Sequence, residues 1–181
     1  MNKNSKVMNR KASLSLLALL GCLLISTFAI AQNPDSDKEE KAVNMVKQIY
    51  KEVSGEGEER PDWDRVRDFF VEEAIIVLRT SREGSTQFSL EEFIQDFKDF
   101  YQSPRVGEAG FREDVLHLHA EVYHDIAFIG VVYQAVLLNS EGPPQKGVDF
   151  WLLSLREGSW KVIAVTNEVI PPGEDLPAMF L

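Results

Sequence analysis

The chain has 181 residues, one cysteine, 19 basic and 29 acidic side chains and a formal net charge of −10. A single cysteine excludes a disulfide framework, so an apolar core must hold the fold. The acidic surplus repels phosphate backbones and anionic headgroups, which argues against nucleic acid and lipid surfaces as partners.

The first eleven residues carry Lys3, Lys6, Arg10 and Lys11 and no acid. An apolar run over 14–30 follows, interrupted by Ser15, Gly21, Ser26 and Thr27. It ends at Ala29, Ile30 and Ala31, ahead of the polar Gln32 and Asn33. Basic start, apolar middle and small-x-small end are the parts of a secretory signal, so residues 1–31 are expected to be a signal peptide and the protein to be exported, to the periplasm or the medium. A run of about 17 residues is at the short edge of what spans a bilayer. Cys22, after Leu19, Leu20 and Gly21, loosely resembles a bacterial lipobox and offers lipid anchoring as the alternative. The apolar run continues past it through Leu23, Leu24, Ile25 and Phe28, which disfavours that reading. Cleavage after Ala31 leaves 150 residues, no cysteine and a net charge near −14. That length suits one domain with one core.

Residues 32–41 read as a polar tether. From Ala42, apolar residues at Val43, Met45, Val46, Ile49, Tyr50 and Val53 fall at three- and four-residue steps and predict a helix. Gly55 and Gly57 end it. Pro61 and Asp62 open a second, short helix whose buried side is Trp63, Val66, Phe69 and Phe70. Residues 74–78 read as a strand, and a short second strand ends at Phe88. Ser89 and Glu92 fit a capping box, opening a third helix with an aromatic stripe of Phe93, Phe97, Phe100 and Tyr101. Four long strands follow over 115–123, 126–138, 148–155 and 160–170. The ordered domain is expected over 42–173, with 174–181 a tail that is loose or folded back.

Helices before a run of strands predict an α+β fold: three N-terminal helices on one face of an antiparallel sheet of four long strands plus one or two short ones. A two-residue turn at His124 and Asp125 pairs Tyr123 with Ile126. One face then holds Leu116, Leu118, Ala120 and Val122 beside Tyr133, Val131, Ile129 and Ala127, and should face the core. The strand over 148–155 is apolar on both faces, so its outer face needs a cover, for which a homodimer is the preferred explanation.

Asp149 lies between Val148 and Phe150 in that strand. Turned inward, it would be a carboxylate in an apolar cavity with a raised pKa, able to act as a general base; turned outward, it is a surface charge. Alternation alone leaves both faces open. The polar tips of Tyr50, Trp63, Tyr101 and Tyr133, with Phe70, Phe97 and Asp149, are the candidate ligand-pocket residues. His117 and His119 share a strand face and are the candidate metal ligands. Glu121 sits about 13 Å along the strand from His117, too far to complete a site, and a solvated surface is the simpler reading. No phosphate-binding glycine loop and no nucleophile motif is present, and no cofactor is implied.

Three stretches carry a resemblance to a known superfamily: the helix ending at Val53 with Asp62 to Phe70 and Glu73 to Ile76; Asp125 to Gly130, opening a long strand; and Phe150 to Arg156 with Gly158 to Val162 in the closing hairpin. In this order they resemble the nuclear transport factor 2-like superfamily, which includes ketosteroid isomerase and SnoaL-like cyclases. The resemblance implies a cone-like fold with a strongly curved sheet and an open-ended cavity. Many SnoaL-like members have a His-Pro pair where this chain has Val71, Glu72 and Glu73, and the acidic base of the isomerases has no clear counterpart, so no catalytic residue is carried over. Three functions remain open: a module binding a small apolar ligand or a protein partner; an isomerase, cyclase or dehydratase with Asp149 as base and a Tyr hydroxyl as donor; and a structural dimer without a cavity.

Overall fold

The structure is a computed structural model and describes residues 34–57, 59–79 and 84–180. The expected signal peptide, Cys22 included, lies outside the described residues. The elements in chain order are α1 (Pro34–Glu52), β1 (Gly55–Glu56), α2 (Trp63–Asp68), β2 (Phe70–Arg79), β3 (Ser85–Phe88), α3 (Leu90–Gln102), β4 (Gly110–Tyr123), β5 (Ile126–Leu137), β6 (Gln145–Arg156) and β7 (Ser159–Val169). Helix α1 begins at Pro34, so residues 34–41 are helical rather than a tether. It buries Val46, Ile49 and Tyr50 of the predicted stripe together with Ala42, and leaves Val43 and Met45 half-buried. Asp62 caps α2 by accepting from the backbone N–H groups of Asp64 and Arg65. The capping box of Ser89 and Glu92 opens α3.

The strands form one seven-stranded sheet in the order β1-β4-β5-β6-β7-β2-β3. It is mixed rather than antiparallel, because β2 runs parallel to β7. Strand β2 follows α2, whereas β7 enters from its hairpin turn with β6, and the chain between them runs through β3, α3 and the meander of β4, β5 and β6 before β7 comes to lie beside β2. The strand count also differs from expectation. Strand β2 is ten residues long and joins the long strands. Strand β1 is not among the expected strands; its residues Gly55 and Glu56 pair with Phe111 and Gly110.

Strand β4 begins at Gly110, five residues earlier than its apolar run suggests, and a bulge falls at Leu116 between the pairs Val115–Tyr133 and His117–Val132. The extra residue reverses the alternation on one side of it. Leu118, Ala120 and Val122 face the core as expected, with Val131, Ile129 and Ala127 opposite. Leu116 does not: it is 38 % exposed, and Val115 takes its place against Tyr133.

Asp149, Trp151 and Leu153 of β6 lie on the inner face. The outer face carries Phe128 and Phe150, whose ring centroids are 5.4 Å apart. The chain's own tail folds back across it. A side chain on Gly130 would meet Phe180 at 3.0 Å and Met179 at 3.2 Å, so glycine there leaves room for the tail. The tail thus supplies cover that the sequence reading assigned to a second copy. Tyr123, Ile126 and Leu152 remain exposed near the β4–β5 turn.

Candidate functional site

Between helices and sheet, the strands carry two chambers in series. The inner one has a volume of about 70 Å³ and is lined by Tyr50 of α1, Phe93 and Phe97 of α3, Glu113, Tyr133, Asp149, Trp151 and Asn167, with Ile49, Val53, Leu78 and Val165. The outer one has about 430 Å³, opening past Arg79, Asp96, Arg105 and the segment around Pro143. Phe97, Glu113 and Tyr133 line both and form the neck. The outer volume falls within the range of small-molecule sites.

Asp149 settles on the inside because Trp151 and Leu153, two and four residues on, complete the core on the same face. It is the sole charged residue in the buried class among the described residues, at 8 % exposure. Trp151 Nε1 donates to the Tyr50 hydroxyl at 3.2 Å, and that hydroxyl donates to Asp149 Oδ2. Asp149 Oδ1 is buried without a hydrogen-bond partner among the described residues. Desolvation pushes the Asp149 carboxyl up to about 7, with the Tyr50 hydrogen bond pulling the other way. Burial, then the charge of Asp149, also holds the Tyr50 hydroxyl well above its ordinary value.

Glu113 is the second carboxyl of the site. The bulge at Leu116 puts Phe111, Glu113 and Val115 on the inner face, whereas unbroken alternation from Leu118 would have put Arg112 and Asp114 there. Its backbone is anchored by a 2.9 Å hydrogen bond from its N–H to Ser54 Oγ. Its carboxyl receives no hydrogen bond among the described residues and is pushed up to about 8, first by desolvation and then by the charge of Asp149. Neither carboxyl has a cationic partner there.

Tyr133 lies over Gly147 of the paired strand, where any side chain would overlap its ring. Its hydroxyl accepts from Asn167 Nδ2 at 3.1 Å, while Asn167 Oδ1 accepts from the Arg79 N–H at 2.6 Å. Asn167 is thereby fixed in orientation, and the Tyr133 proton has no acceptor among the described residues.

Of the sequence candidates, Tyr50, Phe97, Tyr133 and Asp149 line the chambers. Trp63, Phe70 and Tyr101 do not. Trp63 packs behind Phe97, with ring centroids 5.8 Å apart. Phe70 is held between Phe93 and Trp151. The Tyr101 hydroxyl is used up by the carbonyls of Val53 at 2.9 Å and Phe111 at 3.4 Å. Phe70 and Tyr101 are buried in the core, and Trp63 packs half-buried against it. His117 and His119 lie on the outer face, with His119 Nε2 3.2 Å from Glu121 Oε1. No group of three metal-ligating side chains occurs among the described residues.

Sequence reasoning missed Glu113 and Asn167. A signal for Glu113 was present. Apolar residues fall at odd positions (Phe111, Val115) and then at even ones (Leu118, Ala120, Val122), and such a phase change marks a bulge.

The arrangement of helices and sheet is similar to that of solved structures over most of the chain. An NTF2-like protein with a cystatin-like fold from Novosphingobium aromaticivorans superposes with a TM-score of 0.62 at 9% identity, covering 83% of this chain and 94% of that one. This chain has the nuclear transport factor 2-like fold. A second structure with that fold, a "Putative Scytalone Dehydratase" from the same organism, has a TM-score of 0.56 at 12% identity over 75% of this chain and 86% of its own. A third, a "Putative calcium/calmodulin dependent protein kinase II association domain" from Xanthomonas campestris, has a TM-score of 0.53 at 14% identity over 72% and 86%. No family model matches the sequence, and no curated protein matches it. The nuclear transport factor 2-like fold thus covers a protein named as an enzyme and one named as an assembly domain, so function must be argued from the chambers.

Proposed function

We propose that this protein is a small-molecule enzyme of the isomerase or dehydratase kind, with Asp149 as general base and the Tyr133 hydroxyl as hydrogen-bond donor to a developing oxyanion. The observation that carries the reading is the Asp149 carboxyl inside the cone, with one oxygen oriented by Tyr50 and the other unpartnered. A base working near neutral pH needs a pKa raised toward 7, and burial supplies that direction here. An inert core carboxyl would instead have both oxygens satisfied. Tyr133 stands at the neck with its oxygen held by Asn167 and its proton free to point at a ligand. In the reaction class proposed, Asp149 takes a proton from carbon next to a carbonyl. Tyr133 donates to the carbonyl oxygen as charge builds there, and the enclosing aromatics exclude water. The structural likeness to a protein named as a scytalone dehydratase is consistent with this class and adds no residue assignment.

The test is deuterium exchange at the acidic carbon of 2-tetralone in heavy water, followed by NMR. The protein is expected to accelerate exchange, and Asp149→Asn to cut the acceleration by about 10²–10⁴-fold. Equal exchange by both proteins would remove Asp149 from the chemistry.

A further inference from the structure

The two carboxyls of the site are not equivalent, and their difference bears on what the site holds. This inference rests on the reading of the chambers as a ligand site. Asp149 is at the inner end and is engaged by Tyr50. Glu113 stands at the neck, reached from both chambers, and is engaged by nothing among the described residues. A surface glutamate could sit anywhere on β4. This one is turned inward by a bulge, and its N–H is tied to Ser54. The walls around it offer aromatic faces, Phe97 and Tyr133 at the neck and Tyr50 and Trp151 beyond, which attract a cation and give an anion nothing.

We infer that the ligand is a small carbonyl compound bearing an amine, its ammonium held by the Glu113 carboxylate at the neck and its apolar body lodged among the aromatic rings, leaving Asp149 to take the proton from the carbon next to the carbonyl.

Every element packed around the neck contributes charged or titratable groups. From β2, Arg79 is neutralised by a two-point contact with Glu168 of β7, and its guanidinium is committed to that pair. From α3, Asp96 faces the outer chamber, its carboxyl raised by burial and by Asp99. Arg105 stands at the mouth of the outer chamber. From α1, Tyr50 and, toward the groove behind Glu113, Lys47 and Lys51 are the titratable groups. From β4 itself, Arg112 is held outward by Glu56 and Asp114. The inner chamber is therefore lined, among the described residues, by two acids and no cationic side chain. The overall charge of −10 draws cations toward the protein in the same sense.

Binding of an ammonium ion to a carboxyl that burial keeps protonated must expel that proton. The sign follows: Glu113 ionises through about pH 8, and an aliphatic amine stays charged to near 10. Amine affinity is expected to rise from pH 6 to pH 8 by up to about tenfold per unit, with release of close to one proton at pH 6 and about half a proton at pH 8. A neutral ligand of the same shape should show neither effect.

Calorimetric titration of the full chain with 2-phenylethylamine and with 2-phenylethanol, in two buffers of different ionisation enthalpy, makes the test. The amine is expected to bind at least about tenfold tighter than the alcohol at pH 8, as a charge-assisted contact requires, and to release about half a proton there and close to one at pH 6. Glu113→Gln should abolish the preference while still binding the alcohol. Asp149→Asn should keep most of it, yet lose exchange of 2-tetralone. A melting curve for each variant confirms that it is folded, and the proton count on the unmodified protein needs no variant. Equal affinity for amine and alcohol overturns the cation inference and leaves the chambers a ligand site. Preference surviving in Glu113→Gln overturns the assignment to Glu113. Failure of both ligands to bind removes the ligand-site reading together with this one.

Discussion

The inner face of the sheet has two halves that share the same strands and behave in opposite ways. Toward the β4–β5 turn, Ile129, Leu153 and Val162 are buried to 1 % exposure or less and fill their space. Toward the other end, the same three strands present Tyr133, Asp149 and Asn167 around a void. Strand β6 passes from one regime to the other in four residues, from Leu153 to Asp149. The closed half gains stability from burial. The open half gives some of that back by holding carboxyls out of water, and can do so because the closed half anchors the strands.

This contrast predicts mutations of opposite sign. Leu153→Ala, in the closed half, should destabilise by about 2–5 kcal/mol in thermal or denaturant melts, through lost burial and the cavity left behind. A cost below about 1 kcal/mol would mean that the closed half is not tightly packed. In the open half, Gly147→Ala should cost about 1–3 kcal/mol. Its methyl group must push Tyr133 aside, so the same variant should lose the binding and exchange that depend on the neck.

Asp149→Asn should do the reverse and stabilise the protein at pH 8 by on the order of 2 kcal/mol. The folded-state pKa of Asp149 is raised, so its contribution is fully present below about pH 4 and is lost as pH rises through about 7. Glu113 follows the same course through about 8. The unmodified protein should therefore weaken between pH 4 and pH 8, and the Asn variant should show a shallower slope. The outward carboxylates Glu91, Asp125 and Glu168 titrate in the other sense, held low by Arg67, Lys38 and Arg79, and act only as pH falls below about 4. A variant that melts alike at pH 5 and pH 8, with no gain over the unmodified protein, would place Asp149 in contact with solvent.

Much of this protein was determined by local sequence. The apolar steps of α1, the capping box of α3, the turn at His124 and Asp125 and the alternation of the long strands each follow from neighbours in the chain. Together they were enough for the fold family, because every level of pattern agreed on helices before a meander. What tertiary structure decided was direction. Both faces of β6 are apolar, so alternation could place Asp149 inside or outside, and the covering helices chose. One extra residue at Leu116 moved Glu113 to the inner face and Leu116 out of it, since a period of two reverses with each insertion. The parallel pairing of β2 with β7 joins residues about 90 apart and leaves no local trace. The aromatics show the same limit. Their spacing marks a buried stripe, but whether a ring fills the core, as Phe70 does, or lines a void, as Phe97 does, depends on where the opposing layer stops.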